Sequence, residues 1–553
     1  MTDRQPPVSG FPDEQSVSAK QGERVDYIVI GAGSAGAVIA SRLSEDDDVR
    51  VCLVEAGGAA RHPYIRMPIA FMKVHRAPAY SWRFESEPEP GLNNRTITMW
   101  RGRALGGSSS VNGMIYTRGH FLDFDYWQQQ GLDGWGYSAV LPYFKRLERS
   151  WRGANEYHGS DGPIEISVVD VPMMLYDALA AAAAKAGHRV SEDLFATVVE
   201  GIGRLELTVG GGERSGTARG YLNAASNRPN LRIETHALTT RIIFDKMRAV
   251  GVEYVKSGET RRVFCDREVV LSGGTLNSPQ LLMLSGIGPA DQLRALGIAP
   301  LVDLPGVGEN LQEHPLVGLH WRTTHHDTYL KYLRWDRAAV AMTQWLLFKS
   351  GPFAQIGSHA MIYARTRPEL ARPDMQFVAS AIGLDADLWF PGITAPPVHR
   401  FSCMVGHQHP DSKGWVKLRS ADPRDRPRIF YNIFGEKSDL DAMVRGIEMA
   451  RDIYAQDPQR RWIEQEISPG QNVRGPAPLR DFLRTNVGVA QHPVGTCRMG
   501  IDNLAVVDAQ LRVRGIEGLR VADASVMPDE VGGNTNIATI MIGEKAADMI
   551  RGI

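Results

Sequence analysis

The order of apolar and polar residues near the start of the chain predicts a strand, a helix and a second strand. The apolar run Tyr27–Ile30 is followed by the glycine-rich letters GAGSAG, by an apolar helical stretch, and by a second apolar run that ends at Glu55. Short apolar runs on either side of a helical segment are typical of parallel strands in a βαβ unit. The whole pattern fits within about thirty residues, as a dinucleotide-binding unit requires.

Three glycines in this unit have the spacing GxGxxG. Gly31 permits the tight turn after the first strand, Gly33 lets the backbone approach a pyrophosphate, and Gly36 lets the helix pack closely on the sheet. Glu55 closes the second strand, where a carboxylate accepts hydrogen bonds from an adenosine ribose and repels a 2′-phosphate. The sequence therefore predicts a dinucleotide site for FAD or NAD rather than NADP.

Two later segments, 267–288 and 519–550, repeat the order of strand, small-residue turn and helix. The segments between them are rich in aromatics, histidines and β-type alternation, which indicates a second domain. The expected ranges are 25–162, 213–315 and 481–553 for a nucleotide-binding domain, 163–212 and 316–480 for a substrate-binding domain, and 1–24 for a flexible N-terminal tail. We expect a ligand to bind at the interface of the two domains.

No uninterrupted apolar stretch reaches the roughly 18 residues that span a bilayer. The most apolar helical candidates are Leu175–Ala184 and Ala338–Phe348, and we expect both to pack in a core. The second, flanked by Tyr329, Tyr332 and Trp335, has the alternative of rimming a substrate entrance or resting on a membrane surface. Core packing is favoured because its polar face lacks a lysine cluster.

The composition is that of an ordinary globular protein, with 43% hydrophobic and 23% charged residues and a net charge of -1. This balance gives no electrostatic footprint for nucleic acid. The four cysteines lie far apart without metal-binding spacing, so neither a disulfide framework nor a metal site is predicted. We therefore expect a cytoplasmic protein, or one peripheral to the inner membrane.

Five longer motifs follow the glycine fingerprint in a fixed order. They are RGRALGGSSSVNGMIYTRG from Arg101, GGTLNSPQLLMLSGIG from Gly273, GVGENLQEHP from Gly306, HPVGTCRMG from His492 and VADASVMPDEVGGNTNIATIMIGEKAAD from Val521. From about Val25 onward the chain resembles the glucose–methanol–choline (GMC) flavoprotein oxidoreductases, in the branch of choline and alcohol dehydrogenases. The resemblance implies an α/β and α+β fold, in which a discontinuous Rossmann-like FAD-binding domain joins a substrate-binding domain built on a large, mainly antiparallel sheet.

The resemblance also implies the residues that carry the chemistry. His492 is expected to face the flavin and to take the hydroxyl proton of a primary alcohol, while a hydride passes to flavin N5. Asn536 is expected to donate a hydrogen bond to the substrate oxygen, and its alternative role is to cap the helix that follows. We interpret the other histidines in mixed contexts, His314, His407 and His409, as structural or substrate-lining.

The resemblance and the fingerprint together assign residues to the cofactor. The expected FAD contacts are Gly31, Gly33, Ser34, Ala35, Gly36, Glu55, Ala56, Arg103, Gly106, Gly107, Ser108, Asn112, Gly113, Thr239, Asp523, Ala524 and Ile537. Val111 stands where covalently flavinylated members have histidine, so FAD is expected to be noncovalent. Ala490 beside His492 is small, which leaves room for a bulky alcohol.

Several alternatives remain open from the sequence. Electrons pass to a quinone, to another redox carrier or to oxygen, with the quinone or carrier favoured, and the protein is monomeric or a homo-oligomer. The same scaffold also hosts hydroxynitrile lyases, fatty-acid photodecarboxylases and, in principle, a non-catalytic flavin-binding module. A choline-like substrate is neither supported nor excluded.

Overall fold

The computed structural model describes residues 23–171, 175–196, 199–383, 386–394 and 397–553. All but the last two residues of the expected N-terminal tail, 1–24, lie outside the described residues, and the first strand begins at Glu23. Two seven-stranded sheets organise the described chain.

The strands are numbered in chain order. They are β1 Glu23–Ile30, β2 Val51–Val54, β3 Ser81–Glu85, β4 Thr98–Gly102, β5 Glu148–Ser150, β6 Ile164–Val168, β7 Gly201–Arg204, β8 Glu206–Leu207, β9 Val209–Gly210, β10 Glu213–Arg214, β11 Leu231–Glu234, β12 Ala237–Asp245, β13 Arg248–Lys256, β14 Glu259–Leu271, β15 Ile287–Gly288, β16 Val302–Asp303, β17 Pro315–Thr323, β18 Ser358–Ala364, β19 Met375–Ser380, β20 Arg400–His407, β21 Trp415–Lys417, β22 Arg428–Phe430, β23 Ile463–Ser468, β24 Gly488–Val489 and β25 Leu519–Val521.

The α-helices are numbered in the same way. They are α1 Gly36–Leu43, α2 Pro63–Arg66, α3 Phe71–His75, α4 Phe121–Gln129, α5 Tyr137–Leu147, α6 Tyr176–Lys185, α7 Asn223–Ala225, α8 Asn277–Leu284, α9 Ala290–Ala295, α10 Trp335–Phe348, α11 Lys437–Ala455, α12 Pro476–Asn486 and α13 Asn536–Arg551.

The first sheet has the order β11-β2-β1-β14-β13-β12, and β25 also pairs with β14. The strands β11, β2, β1, β14 and β25 run parallel, whereas β12, β13 and β14 form an antiparallel meander. The parallel strands β1 and β2 are almost entirely buried at their carboxyl ends, as strands covered on both faces are. This is the predicted Rossmann-like sheet, and its strands come from distant parts of the chain.

Two of the fingerprint glycines are required by close packing. Gly31 has a φ of 91°, a conformation that glycine adopts without steric cost. A Cβ atom on Gly36 would lie 1.9 Å from the carbonyl oxygen of Gly31. Helix α1 can therefore begin directly against the end of β1 only because residue 36 has no side chain.

The second sheet has the order β23-β17-β20-β19-β18-β7, with β24 also paired to β17, and all of its pairings are antiparallel. Strands β18 and β19 are buried along their whole length. Helix α11 packs on this sheet, where a Cβ on Gly446 would meet Met375 and Val405. Strand β24 belongs to this sheet, although residues 488–489 fall in the range 481–553 that the sequence assigned to the nucleotide-binding domain.

Helix α10 is only partly buried, although the sequence predicts that residues Ala338–Phe348 pack in a core. It buries Ala338, Ala341 and Trp345, but Leu347 and Phe348 are 69% and 73% exposed. The apolar residues of this helix lie around its whole circumference, and the protein covers only one side. The prediction of core packing therefore holds for one face of the helix and is wrong for the other. Within the described part of the chain, every helix is too short or too polar to span a bilayer.

Candidate active site

A cavity of about 1110 Å³ is lined by both sheets. The first sheet contributes the carboxyl ends of three parallel strands, at Ile30, Val54 and Leu271. Ligands of open α/β sheets bind at this edge. The volume exceeds the 300–1,000 Å³ range of pockets for a single small ligand, so it can accept a dinucleotide together with a substrate.

Most residues assigned to the cofactor from the sequence line this cavity. They are Gly31, Gly33, Ser34, Ala35, Glu55, Ala56, Arg103, Gly107, Ser108, Asn112, Gly113, Thr239, Asp523 and Ala524. Three others are not among the residues that line the cavity, and their assignment as cofactor contacts stays a prediction. Gly36 packs on Gly31, Gly106 packs against Ser110 and Ala218, and Ile537 is fully buried in α13.

Glu55 is fixed by the backbone around it. Its two carboxylate oxygens accept hydrogen bonds from the amides of Ala32, at 2.8 Å, and Gly57, at 2.7 Å. Burial raises the pKa of Glu55, and these two amides and Arg103 oppose that shift. Each oxygen keeps a second lone pair, so the side chain can still accept hydrogen bonds from ribose hydroxyls.

Three observations fit a dinucleotide in this part of the cavity. A Cβ atom on Gly33 would have no neighbour within 4 Å, so the chain leaves space where the fingerprint places a pyrophosphate. The Arg103 Nε and Thr239 Oγ1 atoms are buried, and neither has a hydrogen-bond partner among the described residues. Buried polar atoms without partners are rare in native proteins, and they indicate a ligand or water that satisfies them.

His492 lies at the other end of the lining, next to two polar side chains. Its Nε2 atom is 2.9 Å from Asn534 Nδ2, and its Nδ1 atom is 3.1 Å from His314 Nδ1. His314 Nε2 is in turn 2.9 Å from the carbonyl oxygen of Gln408. The three side chains therefore form a continuous hydrogen-bonded chain that ends in the cavity.

The partners in this chain assign its protons. Asn534 Oδ1 is 3.4 Å from the donor Gln376 Nε2, so its Nδ2 group faces His492 and donates to Nε2. Since Nε2 accepts, the proton of neutral His492 is on Nδ1 and is donated to His314 Nδ1. His314 then donates from Nε2 to the carbonyl of Gln408. The His492 ring thus presents an unprotonated nitrogen toward the cavity.

The backbone before His492 is held in an unusual conformation. Gln491 has a φ of 69°, which is uncommon for a residue with a side chain. Its side-chain oxygen accepts from the amide of Trp100 at 2.8 Å, and its carbonyl accepts from Arg101 Nη1 at 2.6 Å. The amide of His492 itself donates to both oxygens of Glu313, at 2.9 and 2.8 Å. These contacts fix the direction in which the imidazole points.

Burial and charge keep His492 neutral. Burial, followed by the nearby positive charge of Arg101, lowers the pKa of His492 to about 3. The pKa of His314 is also lowered well below its usual range, first by burial and then by His492. Behind His314, the Glu530 carboxyl is buried without a hydrogen-bond partner in the described chain, 3.3 Å from His314 Nδ1.

Asn536 lines the same cavity but does not contact His492 in this structure. Its Oδ1 atom accepts a hydrogen bond from Ser34 Oγ at 2.7 Å, and its Nδ2 group has no partner among the described residues. Thr535 stands at the N-cap of α13 and makes no side-chain capping bond, so the alternative role of Asn536 as the cap is not what the structure shows. Its amide donor is instead available to a ligand.

Sequence reasoning missed several residues of this cluster. Asn534, Glu313 and Arg101 were not singled out, and His314 was only grouped with other histidines. Two signals were present, because Glu313 and His314 are adjacent in GVGENLQEHP and Asn534 is two residues from Asn536 in GGNTN. Glu313 and His314 are 179 and 178 positions from His492, and Asn534 is 42 positions from it, so these contacts depend on packing that spacing along the chain cannot reveal.

Comparison with known proteins identifies the family. A family model described as GMC oxidoreductase matches residues 25–316, and a second model with the same description matches residues 410–543. The chain belongs to the GMC oxidoreductase family. This finding confirms the predicted family, the predicted fold class and the prediction of an oxidoreductase related to enzymes that act on CH–OH groups.

This GMC oxidoreductase has similar proteins among both sequences and structures. It is 40% identical to the mitochondrial choline dehydrogenase of Mus musculus over 550 residues, which cover 98% of this chain and 92% of the relative. It is 42% identical to an oxygen-dependent choline dehydrogenase of Escherichia coli over 534 residues, with 95% of each covered. The pyridoxine 4-oxidase structure from Mesorbium loti superposes with a TM-score of 0.85 at 31% identity, covering 96% of this chain and 99% of that one.

Membership of the family implies FAD as the cofactor. The residues present fit FAD, because the cavity has the volume of a dinucleotide plus a substrate, an open position at Gly33 and unpartnered polar atoms at Arg103 and Thr239. Residues 534–536, which lead into the N-terminus of α13, also line the cavity. A helix N-terminus favours negative charge, as on a reduced flavin.

Proposed function

We propose that this GMC oxidoreductase converts a primary alcohol to its aldehyde with noncovalent FAD. The observation that supports this most directly is the His492 ring, which presents an unprotonated Nε2 atom to the cavity, 2.9 Å from the amide of Asn534. FAD, when bound, supplies the acceptor for the hydride that leaves the alcohol carbon. Attachment is proposed to be noncovalent because Val111, which lines the cavity, offers no nucleophile.

In this proposal His492 is the general base. The alcohol hydroxyl replaces the Asn534 amide at Nε2 and gives up its proton there, and the Nδ1–H group stays bonded to His314. The ring keeps its tautomer and orientation because His314 and the backbone contact with Glu313 hold it from behind. Asn534 acts as a positioning residue for the base.

Asn536 is proposed to stabilise the negative charge that develops on the substrate oxygen. Ser34 holds its Oδ1 atom, which leaves the Nδ2 hydrogens free to donate into the cavity. Removing one such donor from an oxyanion site typically costs about 10²–10³ in rate. The cofactor is proposed to lie along the ends of the first sheet, with Glu55 at the ribose and Gly33 at the pyrophosphate.

The second sheet is proposed to form most of the substrate-binding domain, so that the alcohol binds between the two parts of the chain.

The reaction is tested by mixing the holoenzyme anaerobically with a panel of alcohols. Bleaching of the flavin absorbance by at least one primary alcohol is the expected result. An enzyme that no alcohol bleaches, but that cleaves cyanohydrins or decarboxylates fatty acids in light, would be one of the non-redox or light-driven alternatives.

We further propose that electrons leave to a quinone or carrier at a membrane surface, and that the protein is cytoplasmic and peripheral. The support is an exposed apolar surface formed by Trp335, Val340, Leu347 and Phe348 of α10 together with Phe390. Large exposed apolar patches mark interaction sites. A soluble quinone should then support faster turnover than oxygen, whereas equal turnover with oxygen alone would assign the protein to the oxidases.

A further inference from the structure

The wall that the second sheet gives to the cavity is uncharged. This sheet wall consists of Leu316 and Gly318 of β17, Ser358 of β18, Gln376, Val378 and Ser380 of β19, Met404 of β20, and Gly488 and Val489 of β24. Alternate residues of β17 and β19 face the cavity, as the two-residue period of a strand requires. Among the residues that the structure describes, the side of the cavity proposed to hold the alcohol therefore contains no carboxylate.

Each polar side chain of the sheet wall makes at least one hydrogen bond within the protein. The hydroxyls of Ser358 and Ser380 are 2.7 Å apart, and Gln376 Nε2 donates to the Tyr363 hydroxyl at 2.8 Å. A polar group on the substrate would have to compete with these bonds. The wall thus offers apolar contact more readily than new hydrogen bonds.

The carboxylates elsewhere in the cavity lining are engaged. Glu55 accepts from two backbone amides, Asp523 accepts from the Gly274 amide and the Ser278 hydroxyl, and Asp425 accepts from the Ser420 hydroxyl on the surface. Six arginines share the lining with these three acids. They are Arg76, Arg83, Arg101, Arg103, Arg424 and Arg426. The charge balance of the lining therefore opposes a cationic ligand.

Two further acids lie near His492 without lining the cavity. Glu313 is fully buried and receives the backbone amide of His492 on both oxygens. Glu530 is buried on the far side of His314. Neither residue is among those that line the cavity, so neither carboxyl is placed to pair with a cation bound there.

Aromatic faces that can bind a cation are also largely taken. Trp82 has the guanidinium groups of Arg103 and Arg426 at 4.2 and 4.3 Å from its ring, and Trp100 has that of Arg83 at 5.8 Å. The remaining aromatic residue of the lining is Phe71. Within the described part of the lining, a quaternary ammonium group would thus find neither a counter-charge nor the aromatic cage that recognises such ligands.

We infer that this cavity selects an uncharged alcohol with an apolar carbon skeleton and rejects the quaternary ammonium group of choline, the substrate named for several relatives. The inference rests on the proposed alcohol oxidation and adds its substrate class. Its physical basis is desolvation, because a cation that loses water without gaining a partner is strongly disfavoured. The sheet wall determines this specificity.

The test compares choline with 3,3-dimethylbutan-1-ol, in which a carbon atom replaces the charged nitrogen of the same shape. Steady-state turnover of the holoenzyme with a soluble quinone as electron acceptor gives kcat/KM for both and for straight-chain primary alcohols, and anaerobic mixing shows which of them reduce the flavin. We expect the best uncharged alcohol to exceed choline by at least about 100-fold, equivalent to about 2.7 kcal/mol. Choline equal to or better than every uncharged alcohol overturns the inference while the proposed reaction stands. A flavin that no alcohol reduces overturns the proposed function, and the inference falls with it.

A substitution at Leu316 tests whether the lack of a carboxylate in the sheet wall causes the rejection of choline. Leu316 lines the cavity on β17, two residues from His314, so a carboxylate there would face a bound substrate. Leu316→Glu should raise kcat/KM for choline at least tenfold over the matched Leu316→Gln variant and should lower it for the uncharged alcohols. Flavin content and thermal melting confirm that both variants fold. No gain for choline in a folded, FAD-loaded Leu316→Glu protein would contradict the inference.

Discussion

At the scale of single residues, the site is an imidazole whose state is set by its neighbours. His492 is neutral because it is buried near Arg101, and its tautomer follows from the donor at Asn534 and the acceptor at His314. A base that is neutral before substrate arrives needs no proton loss to become active. The lowered pKa therefore predicts an acid limb of kcat/KM well below the 6.5 of free histidine.

Alanine variants of Asn534 and Asn536 should differ in the pH dependence of kcat/KM. Asn534→Ala removes a donor that stabilises the neutral form of His492, so the acid limb of kcat/KM should move to higher pH. Asn536→Ala should slow flavin reduction by about 10²–10³ without moving that limb, because its donor serves the substrate oxygen. Anaerobic reduction measured from pH 4 to pH 9 checks both. Identical profiles for the two variants would contradict the division of roles.

At the scale of elements, the turn from β1 into α1 combines packing with cofactor binding. Gly36 is needed by the protein itself, since its Cβ would meet the Gly31 carbonyl at 1.9 Å. Gly33 is needed by the ligand, since its Cβ would meet nothing within 4 Å. Gly36 is therefore required for packing within the protein, whereas Gly33 leaves space for the ligand.

This difference gives a matched pair of variants. Gly33→Ala should leave the thermal stability of the FAD-free protein nearly unchanged but reduce its flavin content sharply. Gly36→Ala should lower the melting temperature of the FAD-free protein as well, because the helix must shift away from the sheet. Calorimetry and flavin absorbance measure both effects. A Gly33→Ala protein that retains full flavin would argue against a pyrophosphate at this turn.

The same scale shows what the sequence could predict. The parallel βαβ unit and the residues at the fingerprint follow from local patterns, because strand period and glycine spacing act within a few residues, whereas the large antiparallel sheet is expected from the family resemblance. The exposed face of α10 could not be predicted, since burial of an apolar helix depends on whether another element covers it. The link from His492 through His314 to Gln408 likewise depends on long-range packing.

At the scale of the whole molecule, buried titratable groups control stability against pH. Burial lowers the pKa of His75, His120 and His320 to about 4 and those of His359 and His492 to about 3. Below pH 6.5 the unfolded chain binds protons at these histidines and the folded chain does not, so stability falls as pH falls. Burial raises the pKa of Glu313 to about 8 and of Glu89 to about 7, so the stability that these protonated carboxyls contribute declines as pH rises from the ordinary pKa of 4.5 to those values.

These opposing trends predict a stability maximum near pH 6 to 7. The melting temperature should fall steeply between pH 6.5 and pH 4, where the five histidines outweigh the two carboxyls, and decline more gently between pH 7 and pH 8. Thermal unfolding across this range, at constant ionic strength, gives the curve. A melting temperature that rises on acidification from pH 6.5 to pH 5 would show that these histidines are not buried as neutral groups.

The most direct test of the account is the rate at which an alcohol reduces bound FAD in His492→Ala. Wild-type protein and the variant, matched for flavin content, are mixed with the best alcohol under anaerobic conditions and followed by the loss of flavin absorbance. The account predicts that the variant retains FAD but is reduced about 10²–10⁴-fold more slowly, because no other described side chain presents a base at that position. A variant reduced at the wild-type rate would contradict the account.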